Sequence, residues 1–436
     1  MESCPFTPLR DGGVGLYWVR SSGSSAAVQS AALRITRNRA LMIDHVSFTN
    51  FKSLRRVDVD LRRFMVVVGP NGSGKTSLLD GLHYLTQATQ KPTASILSGV
   101  FSPPNLQSRG VDEPMRLALS GRYRGVTVKV EIVITSKDAA AGHPAWSATV
   151  ARSWGEAEER TSEPPSRLLA KFRARTATHE PKSREMLALA EELGSARKLR
   201  LDVEKLAAPS YSDEETPRLA IDGEGLASVL ADLAGRSPEA FQSIQDAASQ
   251  IIPMLTRIRT RRAKVHERVQ QEIRIDDEPL TRTVERAQWG QQLVLDFNGA
   301  PDVPAPLASE GTLLVIGLLT ALLTEPRPRL LLLDDIDKAL HPRAQRELVA
   351  QLRRVLALDP ELQIIATSHS PYLLDHFDPQ DVLVTALRPD GSTACAPLTA
   401  HPDFDRWKNT THAGELWSFL GDDWVTERPY AKLEQA

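Results

Sequence analysis

The sequence predicts an α/β fold, a sheet with central parallel strands flanked by helices, joined by an antiparallel β subdomain and an inserted helical subdomain. Three stretches predict it. Val66, Val67 and Val68 form a β-branched strand that runs into a glycine-rich loop and then an amphipathic helix from Thr76 to about Gln87. Four leucines, Leu330 to Leu333, form a wholly apolar strand ending on Asp334 and Asp335. A third apolar strand, LQIIATSHSP, ends on Thr367, Ser368, His369 and Ser370. Strands apolar along their whole length belong at the centre of a parallel sheet, where side chains at the strand C-termini meet ligands.

Composition bounds the rest. With 436 residues, the chain holds about two to four average domains or one large α/β domain with insertions. Apolar residues at 41% and charged residues at 25% are ordinary for a soluble globular chain. A net charge of -2 gives no global basic signal, so any nucleic-acid contact must be local. Cys4 and Cys395 are the only cysteines, too few for a disulfide scaffold or a cysteine metal cluster, and a reducing cytoplasm is the simplest setting. The most apolar window, Leu313 to Leu323, reads as a buried helix and falls short of a membrane span, so no membrane partner is expected.

In chain order, residues 1–40 carry a Ser/Gly-rich patch and no signal-peptide core, and read as a disordered leader with Met42 as an alternative start. Residues 41–150 give the first half of the core: two alternating strands, the glycine loop with its helix, and an antiparallel subsheet from MRLALSGRYR, VTVKVEIVIT and SATVARSW. Residues 151–285 read as a mostly helical insertion, densely charged to about 215 and helical from Gly223 to His266, after which the strand candidates QEIRID and QQLVLDF carry the chain back toward the core. No heptad repeat is sustained there, so the insertion is expected to be globular rather than a coiled-coil arm. Residues 286–390 return to the core, and 391–436 form a strand and helix tail with Leu416, Trp417 and Leu420 packed inward.

Gly69, Pro70, Asn71, Gly72, Ser73, Gly74, Lys75 and Thr76 match G-x-x-x-x-G-K-[ST], and Ser77 continues the helix start. Glycines there let backbone N–H groups turn around phosphate oxygens, and the helix N-terminus adds partial positive charge. Lys75 can reach the β and γ phosphates of ATP, and the Thr76 hydroxyl can ligate Mg²⁺. Asp334 is the candidate for the Mg²⁺ hydration shell, Asp335 for orienting or deprotonating the attacking water, and His369 for sensing the γ-phosphate. Ser309, Glu310 and Gly311 stand before the apolar helix as a second phosphate device. One chain already owns a phosphate loop, so the second device points to ATP held by another copy.

These motifs resemble the ABC-type P-loop ATPases of the RecF/SMC branch, and especially compact bacterial AAA ATPases of DNA maintenance or anti-phage defence. SFTNFKSL resembles the opening strand of that branch, GPNGSGKTSLLDGL its Walker A, ASEG its signature, LLLLDD its Walker B and DKALHP its D-loop region, while His369 falls at the switch histidine. The resemblance covers residues 42–100 and about 290–385. It implies a P-loop NTPase with an ABC-type core that dimerises head to tail around two ATPs, Ser309 and Gly311 facing the partner's nucleotide. Two departures stand out. The catalytic position usually holds Glu, and Asp335 is one methylene shorter, which implies slow hydrolysis or support from Asp337. A Q-loop glutamine is sought among Gln87, Gln90 and Gln107.

The tail after His369 shows no signature of the TOPRIM nuclease segment of some relatives, so any cutting is expected to fall to a partner nuclease or effector. RIRTRRAKVHER supplies the densest cations, and Arg257, Arg259, Arg261, Arg262 and Lys264 are the candidate contacts to double-stranded DNA, set against a merely solvated helix end. Aromatics are sparse in that stretch, which argues against recognition of single strands by stacking. Two functions remain in view: an ATPase driving a DNA-associated process, or an ATPase subunit gating a toxin or effector without touching DNA.

Overall fold

A computed structural model describes residues 41–89, 102–136, 146–154, 157–161, 181–275, 278–325 and 327–427. The leader, Cys4 and Gln90 lie outside the described residues. Strands β1 (Leu41–Phe51) and β2 (Leu54–Asp60) form a hairpin in which Phe51 pairs with Leu54. Strand β3 (Phe64–Val68), buried at every position, leads into the glycine loop and helix α1 (Lys75–Gln87). Next come β4 (Met115–Tyr123), β5 (Val126–Ser136), β6 (Trp146–Trp154) and β7 (Ala157–Thr161). They extend the first hairpin into an antiparallel sheet of order β2-β1-β4-β5-β6-β7.

Helix α2 (Pro181–Gly194) precedes the short strand β8 (Arg197–Leu199), and α3 (Leu226–Arg236) and α4 (Pro238–Ile251) follow. A ribbon of β9 (Leu255–Ile275) and β10 (Glu278–Phe297), edged by β11 (Ala300–Pro304), then returns the chain to the core. The last elements are α5 (Glu310–Leu323), β12 (Leu330–Leu333), α6 (Pro342–Leu358), β13 (Gln363–Thr367), β14 (Val382–Leu387), β15 (Thr393–Pro397) and α7 (Ala413–Leu420).

The core sheet runs β15-β14-β3-β13-β12-β8, parallel except for β15 at one edge. Because side chains alternate across a strand, its apolar strands feed two cores. Val66, Val68, Leu331, Leu333, Ile364 and Ala366 join the core built with α3 to α6. Met65, Val67, Leu330, Leu332 and Ile365 join the one built with α1 and the antiparallel sheet. Burial on both faces is why β12 is four leucines, each 0–3% exposed and each contributing about 1.5–3 kcal/mol.

The insertion departs from expectation. Helix was expected from Gly223 to His266, but α4 ends at Ile251 and the chain is strand from Leu255. Pro253 stops the helix, and the stretch beyond it alternates with period two, Arg257, Arg259 and Arg261 on one side and Ile258 and Thr260 on the other. Residues 151–285 are therefore a mixture of helix and strand among those described, not mostly helix. Nor is the insertion simply globular. Strands β9 and β10 stay paired from Leu255–Phe297 to Ile275–Glu278, a ribbon on the order of 70 Å long at about 3.3 Å per residue. Strand β8 also belongs to the core, adding to β12 in parallel. The tail matches its reading: Leu416 is buried, and Trp417 and Leu420 pack against the same core. No described helix is long and apolar enough to cross a membrane.

Candidate functional site

The loop between β3 and α1 is shaped by space as much as by torsion. Gly69 and Gly74 take φ of 147° and 99°, and a Cβ on either would fall 2.1 Å from the Thr385 carbonyl oxygen or 2.2 Å from Thr393 Oγ1. The C-terminal hairpin, β14 and β15, thus presses on the loop from behind. Thr385 donates its hydroxyl proton to the Val68 carbonyl at 2.9 Å, so the buried Ser73 hydroxyl, 2.7 Å away, donates to Thr385. Thr393 is tied to Ser53, in the turn between β1 and β2, through backbone and hydroxyl at 2.7 and 2.8 Å.

Pro70, Asn71 and Gly72 are exposed at the rim, and Ser77 is half-buried on the first turn of α1. No side chain caps that helix, and its first turn holds no acidic residue. Its N–H groups and partial positive charge are therefore left to an anion. Lys75, 6% exposed, donates to the carbonyls of Gly69 at 2.8 Å and Pro70 at 2.9 Å, which places its ammonium inside the loop's curve. Burial pushes its pKa down, and the carboxylates of Asp335, Asp334, Asp337 and Asp422 oppose that shift. Further along α1, Asp80 accepts from Lys198 of β8 and from Lys52. Burial alone would raise its pKa, but these bonds hold it below the ordinary carboxylate value.

Strand ends bring the remaining groups together. The Thr76 hydroxyl lies 3.1 and 3.2 Å from the two Asp334 carboxylate oxygens. Thr367, at the end of β13, donates to Asp334 Oδ1 at 2.9 Å and accepts the Asp335 N–H at 2.8 Å, so one threonine orients both aspartates. Asp335 has φ of 55°, a left-handed conformation in which Asp is several-fold enriched over most side chains. That backbone gives a physical reason for Asp where Glu was expected. His369 Nε2 stands 3.7 Å from Asp335 Oδ1, and the His369 N–H donates to Asp337 Oδ1 at 3.2 Å. Asp337 is thereby a strut for the histidine backbone.

A hydroxyl beside a carboxylate, under an uncapped helix start and a buried ammonium, is a donor set that fits a divalent cation and a polyphosphate. A cleft of about 460 Å³ opens beside Asp334 and Asp335, between α5 and the residues that follow β8, Arg200 to Asp202. Of the glutamines considered, Gln107 donates to the carbonyls of Val111 and Glu113, and Gln87 lines a separate cavity with Arg197 and Arg218.

Ser309, Glu310 and Gly311 are placed differently. Ser309 caps α5, its hydroxyl accepting the Thr312 N–H at 3.3 Å and lying 2.7 Å from the Thr312 hydroxyl. Ser309 and Glu310 are exposed, and a Cβ on Gly311 would reach 2.9 Å from the Ala339 carbonyl. Among the described residues no hydrogen bond or ion pair joins these three to the group around Lys75 and Asp334. The basic residues sit on β9, not on a helix end. Arg257, Arg261, Arg262 and Lys264 are exposed, but Arg259 is bound to Asp296 at 2.5 Å and Asp302 at 2.6 Å, which leaves its charge neutralised. Sequence reasoning missed Thr385 and Thr393. A threonine at each strand position facing the loop was the only local signal.

A family model described as "AAA domain, putative AbiEii toxin, Type IV TA system" matches residues 64–375. A search of curated proteins gives no match. Among solved structures, the chain is similar to an SMC head bound to the C-winged helix domain of ScpA, at 12% identity over 83% of this chain and 99% of that one, with a TM-score of 0.45. It is also similar to the SMC head domain from Thermotoga maritima, at 13% identity over 81% and 98%, with a TM-score of 0.37. An SMC head with an extended coiled coil, bound to the C-terminal domain of ScpA derived from Pyrococcus furiosus, matches at 10% identity over 85% and 100%, with a TM-score of 0.43. At these scores the likeness is partial.

Proposed function

The chain belongs to this family of AAA domains, and on that premise we propose that it is an ATP-hydrolysing head whose two copies close around ATP to drive or gate a DNA-associated process, in repair, maintenance or anti-phage defence. The observation that carries the reading is the meeting of Lys75, Thr76, Asp334 and Thr367 beneath the uncapped start of α1.

Gly69 to Ser77 wrap the triphosphate with backbone N–H groups, and Lys75 neutralises its β and γ phosphates. Thr76 and Asp334 would hold Mg²⁺, which supplies charge neutralisation at the phosphoryl oxygens. Asp335 orients the attacking water and accepts its proton. His369, beside Asp335, donates toward the γ-phosphate and passes its loss to β13. Ser309, exposed at the head of α5, and the half-buried Gly311 face the nucleotide held by the second copy. Glu310 stands between them. Closure would then depend on ATP and opening on hydrolysis.

Asp335→Asn tests this directly, because Asn tolerates the same positive φ while removing the base. Sedimentation with ATP and Mg²⁺ should show the variant accumulating as a dimer, with turnover reduced by about 100-fold. A variant that stays monomeric with bound ATP sinks the clamp. A second reading is favoured by the family's own description, which names a toxin: the same head gates an effector protein and does not touch DNA. ATPase assays with and without DNA separate the two, since stimulation by DNA is expected only of the first.

A further inference from the structure

The ribbon's pairing assembles a surface that neither strand shows alone. Trp289 lies directly opposite Lys264, and Gln291 opposite Arg262, so all four share one face. The Arg262 guanidinium stands 5.2 Å from the centre of the Trp289 ring, and Lys264 Nζ stands 5.8 Å from it. The same face is buried at the ribbon's base, where Ile258 is 2% exposed and Leu293 and Leu295 are fully covered. Further out the indole is 58% exposed, although an indole contributes most to stability when covered. Its backbone is fixed: the next residue, Gly290, is buried against Ser210, and Ser210 and Gln291 exchange backbone hydrogen bonds at 2.9 and 2.8 Å. From Thr260 to His266 and from Ala287 to Gln292 there is no carboxylate, while Arg262 and Lys264 supply two cations to this face, against a net charge of -2 for the whole chain.

We infer that this face binds single-stranded nucleic acid, one unpaired base stacking on Trp289 while Arg262 and Lys264 hold the neighbouring phosphates. The inference rests on the DNA-associated reading above and names the form of nucleic acid. An aromatic ring flanked by cations repeats the chemistry of a nucleotide chain, flat base beside phosphate. A paired base inside a duplex is already stacked on both sides and cannot cover the indole, so the unpaired form is favoured. The sparse aromatics of RIRTRRAKVHER argued against stacking. The register overturns that, because the partner aromatic arrives from the other strand.

The test uses the full chain with a labelled oligothymidylate of about 20 nucleotides and a duplex of the same length. Wild type should bind the single strand more tightly than the duplex. Trp289→Ala should weaken single-strand binding roughly ten- to hundredfold, and Trp289→Phe should recover most of it. Arg262→Gln with Lys264→Gln should lower the slope of log affinity against log salt by about 1.4 for the single strand. Thermal unfolding of each variant, matched to wild type, shows that the ribbon's base is intact. Binding of the single strand unchanged by Trp289→Ala overturns the inference, as does equal competition by polyglutamate, which would mark a surface for acidic protein. If the paired neutralisation weakens duplex binding while Trp289→Ala does nothing, the DNA-associated reading stands and only the stacking fails. If wild type binds neither nucleic acid, both fail, and the ATP clamp is judged separately by sedimentation.

Discussion

Helices α1 and α5 both begin where the sequence points to a phosphate, yet their first turns are built in opposite ways. Helix α1 starts at Gly74 with no side-chain cap and no acidic residue, and a buried ammonium lies beside it. Helix α5 starts at Ser309, whose hydroxyl already caps the Thr312 N–H, and Glu310 places a negative charge in the first turn. The first leaves its N–H groups open to an anion. The second satisfies itself, and an anion brought to it meets a serine already bonded and a carboxylate next to it. A contact from Ser309 to a partner's nucleotide therefore requires exchanging one hydrogen bond for another, which suits a contact that forms only when two copies meet.

Breaking the first site should have the largest effect. Lys75→Ala removes the ammonium that lies inside the loop, and ATP turnover is expected to fall by about 10²–10³, the usual loss for a donor aimed at developing charge. Turnover at the wild-type rate would refute the site. Ser309→Asp sharpens the contrast. Asp caps a helix as well as Ser does, so the melting temperature should stay close to wild type. Its charge would repel a partner's phosphates, so ATP-driven dimer and turnover should drop by at least about tenfold. A serine that only caps α5 predicts a variant indistinguishable from wild type in both measurements. The smallest effect is expected from Thr385→Val, which deprives Ser73 and the Val68 carbonyl of their partner. Denaturant unfolding should show a loss of about 1–2 kcal/mol, with ATP affinity reduced only severalfold.

Legibility followed distance along the chain. The loop from Gly69 to Thr76 and the aspartates after Leu333 are local patterns, readable because strand, turn and helix succeed one another within a few residues. Asp335 was read as an imperfect glutamate, since its positive φ is invisible in a sequence. Arg259 looked like any other cation of its cluster until Asp296 and Asp302, 37 and 43 positions away, closed on it. The ribbon was read only in part, its strand pieces QEIRID and QQLVLDF found but Leu255 to His266 taken for helix, for a related reason. A helical period up to Ile251 invited extension, while the period of two beyond Pro253 gains meaning only once β10 lies alongside it. Strand β8 is three residues long, too short for any periodicity, and only its pairing with β12 marks it as part of the core.

The support that Thr385 and Thr393 give to the phosphate loop also sets an order of events during synthesis. Ser73 and Thr385 are 312 positions apart, roughly 15–60 s of translation at about 5–20 residues per second. For most of that interval β3 has neither of its sheet neighbours, β13 and β14, and the glycine loop lacks the β14–β15 hairpin behind it. The nascent chain presents a bare apolar strand long before it presents a nucleotide site. The glycine loop therefore gains its backing only when β14 and β15 have been made.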